Sequence, residues 1–269
     1  MKRLLLLFAA LVVLFEASAA RIDTVAVHSA AMQRDLPALV VVPEVAATQA
    51  MPVLYLLHGY GGDECQWQEI TDLRPLADRF GMIIVCPDGE KSWYWDSPLK
   101  PESRFETFVA EELTHWVDAH YHTIASREGR AITGLSMGGH GGLWLGIRHR
   151  ECFGAAGATA GGVDIRPFPD AWRMHEQLGS LKKNRKRWNS HTVINEIETL
   201  QNGELALVID CGYGDFFYEV NQNLHKKLRK LGIDHDFYVR PGRHHSSYWK
   251  VSLPYQTLFF ERYFRQANQ

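Results

Sequence analysis

The stretch RAITGLSMGGHGGLWLGIRHR, residues 130–150, decides the fold. It begins as a β-branched and apolar run, continues as Gly134-x-Ser136-x-Gly138, and ends in a helical pattern. Glycines on both sides of the serine allow a tight, strained turn, so the pattern predicts that the Ser136 hydroxyl projects beyond the end of a buried strand. The Met137 N–H then points to where an oxyanion would form. The alternative interpretation is a glycine-rich turn without chemistry.

Outward from this turn, short apolar runs alternate with helical patterns along the chain. The apolar runs are DTVAVHS, LPALVVVP, VLYLLHG, MIIVCPDG, RAITGLS, FGAAGATAGG, LALVIDCG and HDFYVRPG. Spacings of three and four between apolar residues predict helices over 104–122, 218–231 and 249–264. Strands that alternate with helices predict an α/β fold with a mostly parallel central sheet flanked by helices, formed by residues 21–269 as a single domain.

One longer, irregular segment, residues 163–202, interrupts this alternation before the next strand. Its position suits an excursion over the ends of the strands. We therefore expect this insertion to form a wall near the active site. Its basic run, residues 182–187, is interpreted as a solvated helix face rather than as an anion site.

A serine hydroxyl needs a base, and the base needs an orienting acid, before it becomes a good nucleophile. Two carboxylates lie within and just after a later apolar run, and two adjacent histidines follow the last one. Asp210 still lies inside its apolar run, whereas Asp215 lies in the glycine-rich loop after it, so Asp215 is the better acid. The residues alone leave His244 and His245 as alternatives for the base of Ser136.

The loop LLHGYGG, residues 56–62, follows the third apolar run. Its glycines let the backbone approach a ligand and present N–H groups without obstruction by side chains. The Tyr60 N–H is therefore the predicted second oxyanion donor. A plain glycine turn is the alternative.

Aromatic residues cluster near these loops. Trp93 and Tyr94 follow the fourth apolar run, Trp249 follows the histidine pair, and His140 follows the serine turn. Flat apolar rings suit sugar rings or aromatic acids, so these four residues are the predicted substrate-binding side chains. The alternative is that the aromatic rings belong to the core.

Composition narrows the possible partners. The 269 residues carry 29 Lys and Arg against 31 Asp and Glu, a formal net charge of −2, which lacks the basic character of nucleic-acid-binding domains. His115, Asp118 and His122 share a helix face, but no further ligand spacing accompanies them, so no metal site is predicted. Cys86 and Cys211 end apolar runs, as buried thiols do. The near-neutral charge therefore leaves a small-molecule or carbohydrate substrate as the expected partner.

The first 20 residues, MKRLLLLFAALVVLFEASAA, have the pattern of a secretory signal peptide. Two basic residues precede an apolar run over 4–15, and small residues follow it as a cleavage site. A membrane span needs about 20 apolar residues, so this run predicts a secreted or periplasmic protein without stable membrane insertion. An uncleaved anchor is the alternative.

Five motifs in this order resemble the putative-esterase branch of the α/β-hydrolases over nearly the whole mature chain. The motifs are LLHGYGG, PDGEKSWYWDSP, ITGLSMGGHGG, DCGYGDFFYEVN and RPGRHHSSYW. That branch includes tributyrin esterases, feruloyl and acetyl-xylan esterases, esterase D or S-formylglutathione hydrolase and, more distantly, the mycolyltransferases of the antigen 85 group.

The resemblance implies an α/β-hydrolase fold and a role for each matching position. It implies Ser136 as nucleophile, Asp215 as acid and His244 as base, with the N–H groups of Tyr60 and Met137 as the oxyanion hole. It also places Trp93 and Tyr94 near the pocket. The chain departs from the pattern at one point, since a second histidine, His245, stands where relatives often carry a small polar or acidic residue.

These observations predict a secreted serine esterase that acts through an acyl-enzyme and needs neither a metal nor an organic cofactor. The expected substrates are short-acyl or hydroxycinnamoyl esters carried on a carbohydrate. An acyltransferase would use the same triad, and an S-formylglutathione hydrolase-like thioesterase is a further alternative. A non-enzymatic binding module is disfavoured because no triad member is missing.

Overall fold

The computed structural model describes residues 20–267, which form one eight-stranded sheet with helices on both faces. The strands are β1 (Arg21–Ser29), β2 (Arg34–Val42), β3 (Val53–Leu57), β4 (Ile83–Pro87), β5 (Arg130–Gly134), β6 (Ala155–Thr159), β7 (Ala206–Gly212) and β8 (Asp236–Arg240). Their order across the sheet is β1-β2-β4-β3-β5-β6-β7-β8. The pairs β1–β2 and β2–β4 are antiparallel, and the six strands from β4 to β8 in this order run parallel to one another. The predicted mostly parallel α/β sheet is confirmed.

The helices fill the connections between the strands. They are α1 (Gln66–Ile70), α2 (Arg74–Phe80), α3 (Phe105–Thr107), α4 (Thr114–His120), α5 (Met137–Arg148), α6 (Met174–Leu178), α7 (Arg185–Asn189), α8 (Val193–Glu196), α9 (Tyr218–Leu231) and α10 (Ser246–Ala267). A π-helical turn, Phe108–Leu113, joins α3 to α4 within the predicted helix 104–122. None of the helices in residues 20–267 is long and apolar enough to cross a membrane.

The central strands are buried on both faces, which explains why they are continuous apolar runs rather than alternating ones. In β3, Tyr55 and Leu57 face the core layer that contains α5, whereas Leu54 and Leu56 face the layer that contains Phe260 of α10. Successive side chains of a strand point to opposite faces of a sheet, so one strand contributes to both layers.

The parallel strands bring several loops to the same edge of the sheet. The loops after β3, β5, β7 and β8 all start at carboxyl ends of neighbouring parallel strands, where open α/β sheets bind ligands. The insertion 163–202 contains the short helices α6, α7 and α8 and lies between β6 and β7.

The predicted signal peptide, except for Ala20, lies outside the described residues.

Candidate active site

The turn between β5 and α5 holds Ser136 in a strained conformation. Its φ of 55° and ψ of −115° are rare for a residue with a side chain and cost on the order of 1–3 kcal/mol. The Ser136 N–H donates to the Thr159 carbonyl at 3.0 Å, and its own carbonyl accepts the Gly162 N–H at 3.2 Å. A Cβ at Gly138 would overlap the Leu57 carbonyl oxygen. Glycine is required because β3 passes directly against the turn.

Ser136, His244 and Asp215 form one hydrogen-bonded chain. His244 Nε2 lies 2.9 Å from Ser136 Oγ, and His244 Nδ1 lies 2.8 Å from Asp215 Oδ2. The other carboxylate oxygen of Asp215 accepts the Phe217 N–H at 2.8 Å, which fixes the orientation of the carboxylate. The Asp215 side chain is fully buried, whereas that of His244 is 16% exposed. This arrangement can move a proton from the serine to the imidazole and hold the resulting positive charge.

The structure distinguishes the two candidate bases and the two candidate acids by position. The His245 ring is exposed, and its Nδ1 lies 3.1 Å from Ser247 Oγ at the start of α10. Asp210 is bonded to Arg240 and Tyr248 instead of to a histidine. Of these four residues, only His244 and Asp215 belong to the series of hydrogen bonds that begins at Ser136.

Two backbone N–H groups near Ser136 have no hydrogen-bond partner among the described residues: those of Tyr60 and Met137. A Cβ at Gly59 would lie 3.5 Å from Ser136 Cβ, so the Tyr60 loop passes next to the serine. His58 links this loop to the loop after β4, because its Nδ1 lies 2.8 Å from the Gly59 carbonyl and its Nε2 accepts the Gly89 N–H at 2.8 Å. The free N–H groups suit an oxyanion hole.

Three of the four predicted substrate-binding side chains are in the core. Trp93 is 1% exposed, and Tyr94 and His140 are fully covered. The His140 ring packs edge to face against Trp93 at 5.3 Å, and burial lowers its pKa to about 3. Their rings therefore offer no free face to a sugar in this structure, and the expectation of a substrate-binding surface at these positions is corrected. Trp249 is half-buried, with its ring 5.1 Å from that of His244.

The aromatic surface beside the triad comes from residues that the sequence analysis did not select. We call Phe168, Trp172 and Phe216 the Phe216 face. Phe216 is 49% exposed, and its ring centroid lies 4.3 Å from that of His244. Trp172 stacks on Phe216 at 5.8 Å, and Phe168 contacts both rings. The sequence signals were the position of Phe216 directly after Asp215 and the insertion that carries the other two.

A cavity of about 460 Å³ lies on the opposite side of the serine, next to Tyr60. Its charged and polar lining includes Arg34, Glu90, Lys91, Lys100, Arg173, Glu176 and Gln177. The opposite charges pair with one another, as Lys100 and Glu176 do at 3.0 Å. The buried Gln177 Oε1 has no hydrogen-bond partner among residues 20–267. We call this space the charged cavity.

Two of the three residues considered as metal ligands, His115 and Asp118, have other partners. Asp118 bonds Arg130 and Thr123, and the His115 ring bonds the Glu111 carbonyl. No cluster of three or more metal-ligating side chains occurs within residues 20–267. The four cysteines are free thiols, and burial raises the pKa of Cys86 and Cys211 well above the usual range.

Comparison with known proteins agrees with this geometry. Residues 29–260 match the family described as "Putative esterase". The acetyl esterase of Caldicellulosiruptor saccharolyticus is 27% identical over 216 residues, which cover 75% of this chain and 80% of that protein. Esterase Rv1288 of Mycobacterium tuberculosis (strain ATCC 25618 / H37Rv) is 32% identical over 220 residues, which cover 72% of this chain but only 48% of that protein.

A solved structure of a ferulic acid esterase superposes with a TM-score of 0.80 at 26% identity, and the match covers 91% of this chain and 98% of that one. The family match, the related esterases and the fold agree on ester hydrolysis as the activity. The chain belongs to the putative-esterase family of α/β-hydrolases and is a serine esterase.

Proposed function

We propose that Ser136, His244 and Asp215 hydrolyse carboxylic esters in two acyl-transfer steps. The observation that carries the proposal is the hydrogen-bonded chain from Ser136 Oγ through His244 to Asp215, at 2.9 and 2.8 Å. In the first step, His244 Nε2 accepts the serine proton as Oγ attacks the ester carbonyl carbon. The Asp215 carboxylate stabilises the imidazolium that forms.

The carbonyl oxygen becomes negatively charged during this attack. The N–H groups of Tyr60 and Met137, which have no hydrogen-bond partner within residues 20–267, donate to that oxygen. His244 then donates its proton to the alcohol oxygen, which breaks the ester bond and leaves an acyl group on Ser136. A water molecule attacks the acyl-enzyme by the same proton route, and the acid product leaves.

The position of His244 determines on which side of Ser136 the alcohol and the acyl group of the ester lie. The proton donor must reach the leaving oxygen, so the alcohol lies against the neighbours of His244, which are Phe216 and Trp249. An exposed aromatic face stacks well on the C–H face of a sugar ring. This supports a carbohydrate as the alcohol, with a short-acyl or hydroxycinnamoyl group as the acid.

The alternatives differ in the acceptor or in the leaving group. An acyltransferase would admit a sugar or another alcohol to the acyl-enzyme in place of water, and a thioesterase would release a thiol. The aromatic rings beside His244 favour a sugar alcohol over a glutathione thiol as the leaving group. The relatives also include an acetyl esterase, and the solved structures include a ferulic acid esterase.

Ser136→Ala should remove the nucleophile and leave the fold intact. We expect kcat/KM for 4-nitrophenyl butyrate to fall by about 10³-fold or more, because no other group can form the acyl-enzyme. The thermal midpoint should change little, as one hydroxyl is a small contribution to stability. Ser190→Ala, on an exposed position of the insertion, is the matched control. Substantial turnover by the Ser136 variant would exclude this mechanism.

The two histidines should differ sharply in effect. His244→Ala should lose nearly all kcat, whereas His245→Ala should lose at most about threefold, because the exposed His245 ring bonds Ser247 and not the serine nucleophile. Both variants are assayed with the same ester, and circular dichroism verifies their fold. A larger loss of kcat in His245→Ala than in His244→Ala would transfer the role of base.

Phe216→Ala should separate sugar esters from simple esters. We expect kcat/KM for a feruloylated or acetylated oligosaccharide to fall about tenfold through KM, because a stacking surface is lost. The methyl ester of the same acid should change by less than about threefold. Leu258→Ala, an exposed apolar position on α10, is the control. Equal losses on both esters would argue against a sugar on this side of His244.

We also propose export with removal of residues 1–20, on the basis of their basic, apolar and small-residue pattern. Intact-mass analysis of the protein produced with its leader should then show a new N-terminus close to Arg21, in an extracytoplasmic fraction. Retention of Met1 in a membrane fraction would show that the segment is an anchor.

A further inference from the structure

A second carboxylate lies close to the triad and takes no part in the proposed proton transfers. Asp210 is in β7, five positions before Asp215, and its side chain has no exposed area. Removing a carboxylate from water costs several kcal/mol unless good partners compensate it. Burial raises the pKa of this group, while hydrogen bonds from Tyr248, Arg240 and Ser252 act in the opposite direction.

The two main partners of Asp210 lie on either side of His244 in the sequence. One carboxylate oxygen accepts from the guanidinium of Arg240, the last residue of β8. The other accepts from the hydroxyl of Tyr248, in the first turn of α10. Residues 241–245, which we call the histidine loop, connect these two partners. One buried side chain therefore fixes both ends of the loop that carries His244.

The middle of the histidine loop is held by the same elements. The Gly242 carbonyl accepts the Gly214 N–H at 2.9 Å, which joins the loop to the turn that carries Asp215. The Tyr248 ring lies directly on Gly242, where any Cβ would overlap it. Moving Tyr248 would therefore release the loop next to both His244 and Asp215.

The side chain of Arg240 is also held in place by a contact with Tyr255. Its guanidinium lies 4.3 Å from the ring centroid of Tyr255, and its side chain is 19% exposed. An asparagine in place of Asp210 would keep the size of the side chain but replace one acceptor by a donor. The NH₂ group would then oppose either the guanidinium or the tyrosine hydroxyl, which could no longer both donate.

We propose that Asp210 is a positioning residue for catalysis: through Arg240 and Tyr248 it holds the histidine loop so that His244 reaches Ser136 and Asp215 together. This inference rests on the proposed role of the triad. Misplacement of a catalytic group by about 1 Å can cost 10²-fold in rate. Substrate binding does not involve Asp210, so its loss should reduce kcat and leave KM nearly unchanged.

The chain offers a closely matched control for Asp210→Asn. The carboxylate of Asp118 also bonds one guanidinium, that of Arg130, and one hydroxyl, that of Thr123 at 2.7 Å. Arg130 begins β5, whereas Ser136 follows the carboxyl end of that strand. The Asp118–Arg130 pair therefore lies at the opposite end of β5 from Ser136. Asp118→Asn breaks an equivalent cluster without touching the catalytic loops. It should lower the thermal midpoint and leave kcat unchanged.

The experiment compares wild type, Asp210→Asn and Asp118→Asn with 4-nitrophenyl butyrate, at temperatures where circular dichroism shows each to be folded. We expect Asp210→Asn to lower kcat about 10- to 100-fold at constant KM. The acid side of its kcat/KM–pH profile should move to lower pH, because a displaced Asp215 stabilises the imidazolium less. Equal kcat and pH profiles for wild type and Asp210→Asn would overturn the proposal, as would an equal loss in Asp118→Asn.

Tyr248→Phe provides a second test if Asp210→Asn does not fold. It removes only the hydroxyl and keeps the ring on Gly242, so kcat should fall by more than about threefold. The downfield proton resonance of the His244–Asp215 hydrogen bond should broaden or shift in the same variant. An unchanged kcat and resonance would contradict the positioning role. His244→Ala separates the two failures, since an active His244→Ala would instead refute the triad itself.

Discussion

The strained backbone of Ser136 is the constraint on which the rest of the site depends. A side chain at φ 55° persists only where the surroundings hold it, and here backbone bonds to Thr159 and Gly162 hold it from the loop after β6. The contact of β3 with Gly138 brings the Tyr60 loop next to the hydroxyl. The turn at Ser136 therefore fixes the position of the hydroxyl relative to the carboxyl ends of the neighbouring strands β3 and β6.

The order of the strands then gives the site two chemically different sides. The loops after β3 and β4 lie on one side of Ser136 and contribute to the charged cavity, whereas the loops after β7 and β8 lie on the other side and carry the acid and the base. The insertion reaches both sides through consecutive residues, since Trp172 belongs to the Phe216 face and Arg173 lines the charged cavity. Both have positive φ values, so this division is imposed by a strained backbone.

Local patterns predicted the sheet and the serine turn, and they selected the three side chains that the proposed mechanism uses, because buried strands, glycine turns and loop carboxylates each leave a signal within a few residues. They did not predict the direction of the aromatic rings. Trp93 and Tyr94 both adopt positive φ and are buried in the core, where the ring of Trp93 packs against that of His140. The contact of Trp172 with Phe216 joins residues 44 positions apart by numbering, so only the tertiary fold could show it.

The two carboxylates of the β7 region, one in the strand and one in the loop after it, differ in the side chains that compensate their charges. Asp210 faces a permanent cation, Arg240, so its negative charge is already neutralised within the fold. Asp215 accepts a backbone N–H from Phe217 and, among the described residues, is paired with no charged side chain other than His244. Within residues 20–267, only the imidazolium that the proposed mechanism forms on His244 would place a positive charge beside Asp215. That difference, rather than distance from the serine along the chain, supports the two proposed roles, in which Asp215 stabilises an imidazolium and Asp210 holds the loop in which it forms.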